Sequence, residues 1–162
     1  MRQGFTLIEM TMILVVIGAI MSIAISAWMS MTESRRLSAA KAVLEASQNC
    51  LLRYCMHSQS VPSQAYFSSS CNTKDPWSSS IIYETSAGSQ RIDASSDSLG
   101  TFSMVLRDTD GDHQGVVMVI ISLGPNGQAD YNRTGSLIDF TQGDDIYSFV
   151  TKNQLYQISS NS

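Results

Sequence analysis

Groups that carry enzyme chemistry are scarce in these 162 residues. There are two histidines, His57 and His113, and neither belongs to a nucleophile elbow, a phosphate-binding loop or a zinc-ligand spacing. Basic residues are also few, ten Lys and Arg against fourteen Asp and Glu, and they form no cluster. The composition therefore argues against an enzyme and against bulk nucleic-acid binding.

Charge and proline are nearly absent from the first part of the chain. Residues 5–31 are predominantly apolar, Glu9 is the only charged side chain among them, and no proline occurs before Pro62. About 20 apolar residues cross a bilayer as a helix, so this stretch predicts one membrane-spanning helix. A carboxylate inside a bilayer costs about 2.5–3.5 kcal/mol on insertion scales. We therefore expect Glu9 to have a partner and a purpose.

Three simpler interpretations compete with an assembly role for this stretch. A secretory signal peptide has an apolar core of about 7–15 residues and a small-x-small cleavage site, for which residues 24–26 would serve. The stretch is longer than such a core and contains an acid. A plain single-pass anchor accounts for the length but leaves Glu9 unexplained. A buried helix of a soluble core is disfavoured because the stretch is apolar on all faces.

The first nine residues combine a short leader with an acid in a fixed register. The leader ends at Gly4, Phe5 opens the apolar run, and Glu9 follows four residues later. This opening resembles the processing signal of type IV pilins and type II secretion pseudopilins. The resemblance implies a prepilin peptidase that cuts between Gly4 and Phe5 and methylates the new amine. It also implies that Glu9 pairs with the Phe5 amine of an adjacent subunit during assembly.

The same resemblance divides the chain into three parts. Residues 1–4 would be the leader peptide, and residues 5–32 the transmembrane and assembly helix. Residues 33–162 would form a periplasmic globular domain that includes the amphipathic half of the helix. The subunit would then be a single-pass inner-membrane protein before assembly and part of a filament afterwards.

Beyond the apolar stretch, the periodicity predicts a mixed domain. Apolar residues recur every three to four positions from Leu37 to Cys55, which extends the helix as an amphipathic half to about Tyr54. The predicted strands are 81–83, 101–107, 116–122 and 145–151, and the main predicted loops are 56–77 and 123–143. A long helix followed by strands is an α+β pattern. The resemblance implies its pilin-like form, with the helix packed on a small antiparallel sheet.

Three cysteines lie beyond the apolar stretch, at Cys50, Cys55 and Cys71. On the far side of a membrane they would face an oxidising compartment, where a disulfide forms readily. Cys50 and Cys55 are five residues apart, which places them on different sides of a helix. We expect a bond from the helix end to the following loop, with Cys55–Cys71 first and Cys50–Cys71 second. Such a bond would stabilise by about 3 kcal/mol, and the third thiol would be buried or free.

Two later segments resemble the major pseudopilin of type II secretion systems. One is Asp75-Pro76-Trp77, which Tyr83 follows, and the other is the run Ser-Leu-Gly-Pro-Asn-Gly at 122–127. The second segment closes with Gly-Asp-Asp-Ile at 143–146. In that family the corresponding loop binds calcium. Here the loop is longer, because residues 129–141 are inserted between the matching halves.

The resemblance implies a set of calcium ligands in this loop. Asp144 and Asp145 match the acidic pair near the loop end, and Asn126 stands where the family often has Asp. Asp130, from the insertion, would be an extra ligand. Calcium takes six to eight oxygen ligands, including backbone carbonyls, which suits a glycine-rich loop. The competing interpretation is a glycine-rich loop whose acids face water.

A second acidic group, Asp108, Asp110 and Asp112, lies between two predicted strands. An EF-hand loop would need Gly at its sixth position and Glu at its twelfth, and this sequence has neither. We expect a solvated hairpin turn here, with a second calcium site as the alternative.

The function implied by the resemblance is that of a filament subunit, most specifically a pseudopilin of a type II protein secretion system. Its partners would be other pilins, the prepilin peptidase, the inner-membrane assembly platform and the membrane. A minor or major type IV pilin acting in adhesion, motility or DNA uptake is the first alternative. A membrane-anchored periplasmic binding module that never polymerises is the second. Arg2 alone precedes the apolar stretch, while Arg35, Arg36 and Lys41 follow it, so the positive-inside rule does not support the orientation.

Overall fold

The computed structural model describes residues 7–85 and 104–160 of the chain. The chain divides between Ser38 and Ala39 into two compact units, and helix α1 (Leu7–Ser58) contributes residues to both. The other described elements are α2 (Gln64–Ser70), β1 (Ile82–Thr85), β2 (Met104–Asp108), β3 (Gly111–Ser122), β4 (Asn132–Thr134), β5 (Leu137–Asp139), β6 (Ile146–Thr151) and α3 (Lys152–Ser160). Gly4 and Phe5, the predicted processing site, lie outside the described residues.

The first unit is helical over its described residues, and every side chain from 7 to 38 is exposed. Its large apolar side chains project on all sides; Leu7 is 83% exposed and Trp28 71%. Three hydroxyl groups are satisfied within the helix, because Thr11, Ser26 and Thr32 each donate a hydrogen bond to the carbonyl three residues earlier. Internal hydrogen bonds of this kind suit an apolar surrounding, where no water accepts those protons.

Strand β3 is the centre of a six-stranded sheet in the second unit. It pairs antiparallel with β1, β2 and β6, and the hydrogen-bonded path runs β1-β3-β2-β5-β4. Strands β2 and β5 pair in parallel, with Val105 opposite Leu137, and β4 pairs antiparallel with β5. The α+β class predicted from the sequence is confirmed. The expected antiparallel sheet is wrong at the β2–β5 pairing, and the sheet is mixed.

Within the second unit, α1 packs on one face of the sheet through a stripe of buried residues. These residues are Ala40, Leu44, Ser47, Leu51 and Cys55, none more than 4% exposed. They join Val117, Ile120 and Val150 in one apolar core, apart from Ala40 and the polar Ser47. Residues three and four apart line one face of a helix, so the predicted periodicity is confirmed from Ala40 onward. Leu37 is 44% exposed and belongs to the first unit.

The opposite face of β3 is buried as well. Successive residues of a strand point to opposite faces, so Ile120 lies in the core with α1 and Ile121 in a second apolar cluster. Ile138 of β5 and Phe140 belong to this second cluster. The prediction that 123–143 is a plain loop is therefore wrong, because the segment contains the β4–β5 hairpin. Strands of three residues are too short to show alternation in the sequence, and pairing with β2 defines them.

The segment 56–77, predicted as a loop, contains helix α2. Ser63 caps this helix, since its Oγ accepts a hydrogen bond from the Tyr66 amide at 3.3 Å. Phe67 is buried and stacks on Tyr83 with ring centroids 5.2 Å apart. One aromatic contact with the sheet thus stabilises a helix that is too short to be stable alone.

The disulfide joins Cys50 to Cys71, at the end of α2, and the predicted Cys55–Cys71 bond is wrong. Cys55 is 4% exposed in the apolar core, where burial raises the pKa of its thiol to about 12. Five residues turn a helix by about 140°, so Cys50 lies away from that stripe. The bond therefore forms on the side of α1 that faces the end of α2, and Cys55 packs as a small apolar side chain.

Replacing Cys50 and Cys71 together by Ser should lower the free energy of unfolding by about 3 kcal/mol, because the bond closes a loop with a sequence separation of 21. Denaturant unfolding of the detergent-solubilised chain measures this loss. Wild-type protein in strong reductant is the matched control and should be destabilised by a similar amount. Alkylation after unfolding without reductant should label Cys55 alone; label on Cys50 or Cys71 would contradict the pairing.

Candidate functional site

The first candidate site is the apolar part of α1. By length and composition, this helix is long enough and apolar enough to cross a membrane, and no residue of its most apolar segment is buried. Glu9 lies in the first described turn. The positive end of the helix dipole favours a carboxylate in that position.

Glu9 and Trp28 are spaced to match the thickness of a bilayer. Nineteen residues separate them, and at 1.5 Å per residue the rise is about 28 Å. The hydrocarbon core of a bilayer is about 30 Å thick, and tryptophan is enriched at its boundary. With Trp28 at one boundary, Glu9 reaches the other. A carboxylate there costs less free energy than it does at the centre.

The second candidate site lies between β3 and β6, on either side of the β4–β5 hairpin. It consists of Asn126, Asp130, Asp144 and Asp145 and is called the acidic loop. Asn126 lies at its centre and bridges two carboxylates: its Nδ2 donates to Asp130 Oδ2 at 2.7 Å and to Asp144 Oδ1 at 2.8 Å. The Asn126 Oδ1 accepts a hydrogen bond from the Gln128 amide at 2.8 Å. The structure thus brings together three of the residues that the resemblance singled out, although 18 residues separate Asn126 from Asp144.

Asp145 lies beside this group and ties the two halves of the loop together. Its Oδ2 accepts hydrogen bonds from the backbone amides of Asp130 at 2.7 Å and Tyr131 at 3.0 Å. Its Oδ1 is buried, with no hydrogen-bond partner in the structure. An unsatisfied buried carboxylate oxygen is costly, so this atom is a place where an external donor or cation would stabilise the fold.

Two glycines permit the close approach of the loop halves. Gly143 has a φ of 114°, and a Cβ at that position would lie 2.3 Å from the Asp130 Cβ. Gly124 has a φ of 62°, and a Cβ there would lie 2.7 Å from the Asp144 carbonyl oxygen. Any side chain at either position would separate the carboxylates.

The surroundings of Asp144 and Asp145 disfavour their charged forms. Desolvation, then the hydrogen bond with Asp130, raises the pKa of Asp144 above its ordinary value. Desolvation also raises the pKa of Asp145, although its two backbone hydrogen bonds oppose the shift. The nearby Arg133 pairs with Glu84 instead. Of the ion pairs formed within 7–85 and 104–160, none involves the carboxylates of this loop.

The donor set of the loop fits calcium in chemical type. Three carboxylates and one amide offer hard oxygen ligands, the site carries excess negative charge, and one carboxylate oxygen lacks a partner. The described residues contain no group of three acidic, His or Cys side chains gathered around one point. In this arrangement the Asn126 amide, rather than an ion, bridges Asp130 and Asp144.

Asp75 stabilises a turn that packs against the acidic loop. This role was not predicted from the sequence. Asp75 is 6% exposed; Oδ1 accepts hydrogen bonds from the Trp77 and Ser79 amides, and Oδ2 accepts one from Ser122 Oγ at 2.8 Å. A Cβ on Gly127 would lie 3.3 Å from Ser79 Oγ, so the two turns pack together. The two segments with the second resemblance are therefore one structural unit. The Asp-Pro-Trp-Ser turn sequence was the available signal.

The second acidic group forms the expected hairpin turn. Asp108 Oδ1 accepts hydrogen bonds from the amides of Asp110 and Gly111, and Oδ2 accepts one from Tyr147 Oη at 2.6 Å and lies 3.0 Å from His113 Nε2. These contacts lower the pKa of Asp108, the Tyr147 hydrogen bond most of all. Asp112 is paired with Arg107 at 2.6 Å. The carboxylates of Asp108 and Asp112 thus already have partners within the protein, whereas the side chain of Asp110 is exposed.

Comparison of this chain with protein-family models, with curated proteins and with solved structures finds no match. The resemblance of residues 4–9 to a pilin processing signal is therefore a hypothesis.

Asp144→Asn should stabilise the calcium-free chain at pH 7 by less than about 1 kcal/mol, since the group is exposed. The folded state holds the proton more tightly than the unfolded chain, so its stability falls as pH rises from the ordinary carboxyl pKa of 3.8 through the raised folded value. Unfolding in chelator at pH 3 and pH 7 measures this difference. The variant should match wild type at pH 3 and exceed it at pH 7.

The control is Asp110→Asn, which removes an exposed carboxylate from the β2–β3 turn, outside the acidic loop. Equal effects of the two substitutions at pH 7 would mean that overall charge, and not the desolvation of Asp144 and its contact with Asp130, sets the difference.

Proposed function

We propose that this chain is a structural subunit of a type IV pilus-like filament, most specifically a pseudopilin of a type II secretion system. One observation carries the proposal: residues 7–31 form a helix that is apolar on every side and exposed on every side. Such a surface is stable only against lipid or against other apolar helices. The inner membrane would supply the lipid. A filament core made of these helices would supply the apolar neighbours.

Glu9 favours assembly over simple anchoring. An anchor needs only apolar length, and a carboxylate contributes nothing to it, even at the boundary of the span where its cost is lower. Cleavage after Gly4 would place a positive amine on Phe5, and Glu9 of a neighbouring copy is its natural counter-charge. The interaction would be strong, because charges attract more in an apolar surrounding than in water. A filament would thus place a positive amine of a neighbouring copy beside the Glu9 carboxylate.

The second unit would form the periplasmic surface of the filament. Its Cys50–Cys71 bond is typical of an oxidising compartment. The contact between the Asp75 turn and the acidic loop supports the pseudopilin within the wider pilin class, since both resembling segments belong to it. The prepilin peptidase and the inner-membrane assembly platform are the partners that this function requires.

Calcium in the acidic loop is part of the proposal. Asn126, Asp130, Asp144 and Asp145 would hold the ion, together with carbonyls of the loop. The ion supplies positive charge that offsets the mutual repulsion of the carboxylates. The orphaned Asp145 Oδ1 and the raised pKa of Asp144 are the observations in favour.

Glu9→Gln should strongly reduce filament incorporation while leaving cleavage intact. The substitution removes the charge but keeps the shape, so the peptidase still meets Gly4 and Phe5. We expect at least a tenfold loss of subunit in sheared filaments, equivalent to about 1.4 kcal/mol or more. Immunoblots of the sheared fraction measure incorporation, and intact mass reports an N-methylated Phe5 at the N-terminus.

Ser26→Ala is the matched control, because it removes a polar group from the same helix without removing charge. It should assemble like wild type. Normal assembly of Glu9→Gln would refute the charge pairing, and a wild-type chain that keeps Met1 would refute the pilin class.

Calcium should raise the melting temperature of the purified full chain by about 10 °C when it is present at a hundredfold excess over its Kd, which corresponds to about 2.7 kcal/mol. Scanning calorimetry in calcium and in chelator measures the shift. Asp144→Asn should remove the shift, and Asp110→Asn should preserve it. Identical wild-type curves in both solutions would refute the calcium site.

A further inference from the structure

Arg35 and Arg36 follow directly on the apolar part of α1, and both are exposed. Glu33 lies three residues before Arg36, yet it pairs with neither arginine. The arginines of the second unit behave differently, since Arg107 pairs with Asp112 and Arg133 with Glu84. Within 7–85 and 104–160, no acidic side chain forms an ion pair with Arg35 or Arg36. Two adjacent guanidinium groups are thus available to a partner outside the chain.

Helix geometry directs both arginines toward the bilayer. In an α-helix the Cα–Cβ bond tilts toward the N-terminus, and here the apolar segment lies on that side. Arg35 is seven residues after Trp28, so the two lie on nearly the same face, about 10 Å apart along the axis. With Trp28 at the hydrocarbon boundary, a headgroup layer of about 5–7 Å follows. Arginine side chains that lean back toward the boundary reach the level of the lipid phosphates.

The position of the two arginines relative to the membrane requires an explanation. Under the proposed function, this end of the span faces the periplasm. The positive-inside rule favours Lys and Arg at the cytoplasmic end, so Arg35 and Arg36 do not serve orientation. Arg2, the basic residue before the span, would leave with the leader under the same function. A positive pair at the periplasmic end therefore requires another reason, and a negatively charged membrane surface supplies one.

We propose that Arg35 and Arg36 form a binding site for anionic phospholipid headgroups at the end of the membrane span. A guanidinium group presents parallel N–H donors that match phosphate oxygens in a bidentate geometry. Exposed arginines near a membrane surface attract anionic lipid, and the adjacent apolar helix holds the acyl chains beside them. The site fixes the depth of the subunit in the membrane before its assembly. Only the periplasmic placement rests on the proposed function; lipid binding itself requires just the span and the arginine pair.

The test is native mass spectrometry of the full chain in detergent, titrated with phosphatidylglycerol or with phosphatidylcholine. Wild type should bind phosphatidylglycerol at least tenfold more tightly than Arg35→Gln/Arg36→Gln does. The matched control is Lys41→Gln/Arg53→Gln, which removes the same charge from exposed positions farther along α1, and it should bind like wild type. Arg35→Lys/Arg36→Lys keeps the charge but not the bidentate donors, and it should bind with intermediate affinity.

Several outcomes would overturn the site. Equal loss in the two Gln variants would mean that net charge alone attracts the lipid. Equal affinity for phosphatidylcholine and phosphatidylglycerol would remove the anionic requirement. Inorganic phosphate that competes at equal concentration would indicate a site for free anions. If the Arg35→Gln/Arg36→Gln variant loses dimer in the same spectra but keeps its lipid, the pair binds a second copy of the chain instead.

The lipid experiment is independent of filament assembly. Glu9→Gln should bind phosphatidylglycerol like wild type, because its substitution lies at the opposite end of the span. Loss of filaments with normal lipid binding supports both proposals as separate properties. Failure of the charge pairing at Glu9, tested in filaments, would leave the lipid result unchanged. Circular dichroism of each variant should retain the wild-type helix signal, since all the replaced side chains are exposed.

Discussion

The rest of the structure depends on one constraint. Within the described residues, no part of the chain covers the apolar surface of residues 7–31. Residues 7–31 expose Leu, Ile, Val and Met on all sides, and water is an unfavourable surrounding for each of them. Lipid and other apolar helices are the two surroundings in which this apolar surface is stable. The proposed function would use both surroundings, since assembly would move the helix from the membrane into the core of a filament.

Charged residues lie at both ends of the apolar part of that helix. Glu9 lies near the start of the apolar part of α1 and Arg35 just after its end, so under the proposed function neither would lie at the bilayer centre. In the acidic loop of the second unit, Asn126 brings the carboxylates of Asp130 and Asp144 together through two hydrogen bonds. Among the described residues, no basic side chain forms an ion pair with these loop carboxylates.

Part of the second unit could be predicted from the sequence, since some signals are local. The buried stripe of α1 follows from three-to-four spacing, and the turn after Asp108 follows from its Asp-Gly chemistry. Other features depended on distant contacts. Helix α2 is short and relies on Phe67 packing against Tyr83, and the β4–β5 hairpin relies on pairing with β2. The start of α3 had a readable signal that was missed: Thr151 and Gln154 form a capping box.

The sequence by itself determined the long apolar helix, the lone acid within it and the α+β class, because composition and periodicity act over neighbouring residues. Only the tertiary structure decided that Cys50 and not Cys55 bonds to Cys71, since both lie near the helix end and the core selects which one faces α2. It also decided that Asp75 supports the acidic loop through Ser122. Pairings over such sequence distances are set by packing in three dimensions, which one-dimensional patterns do not record.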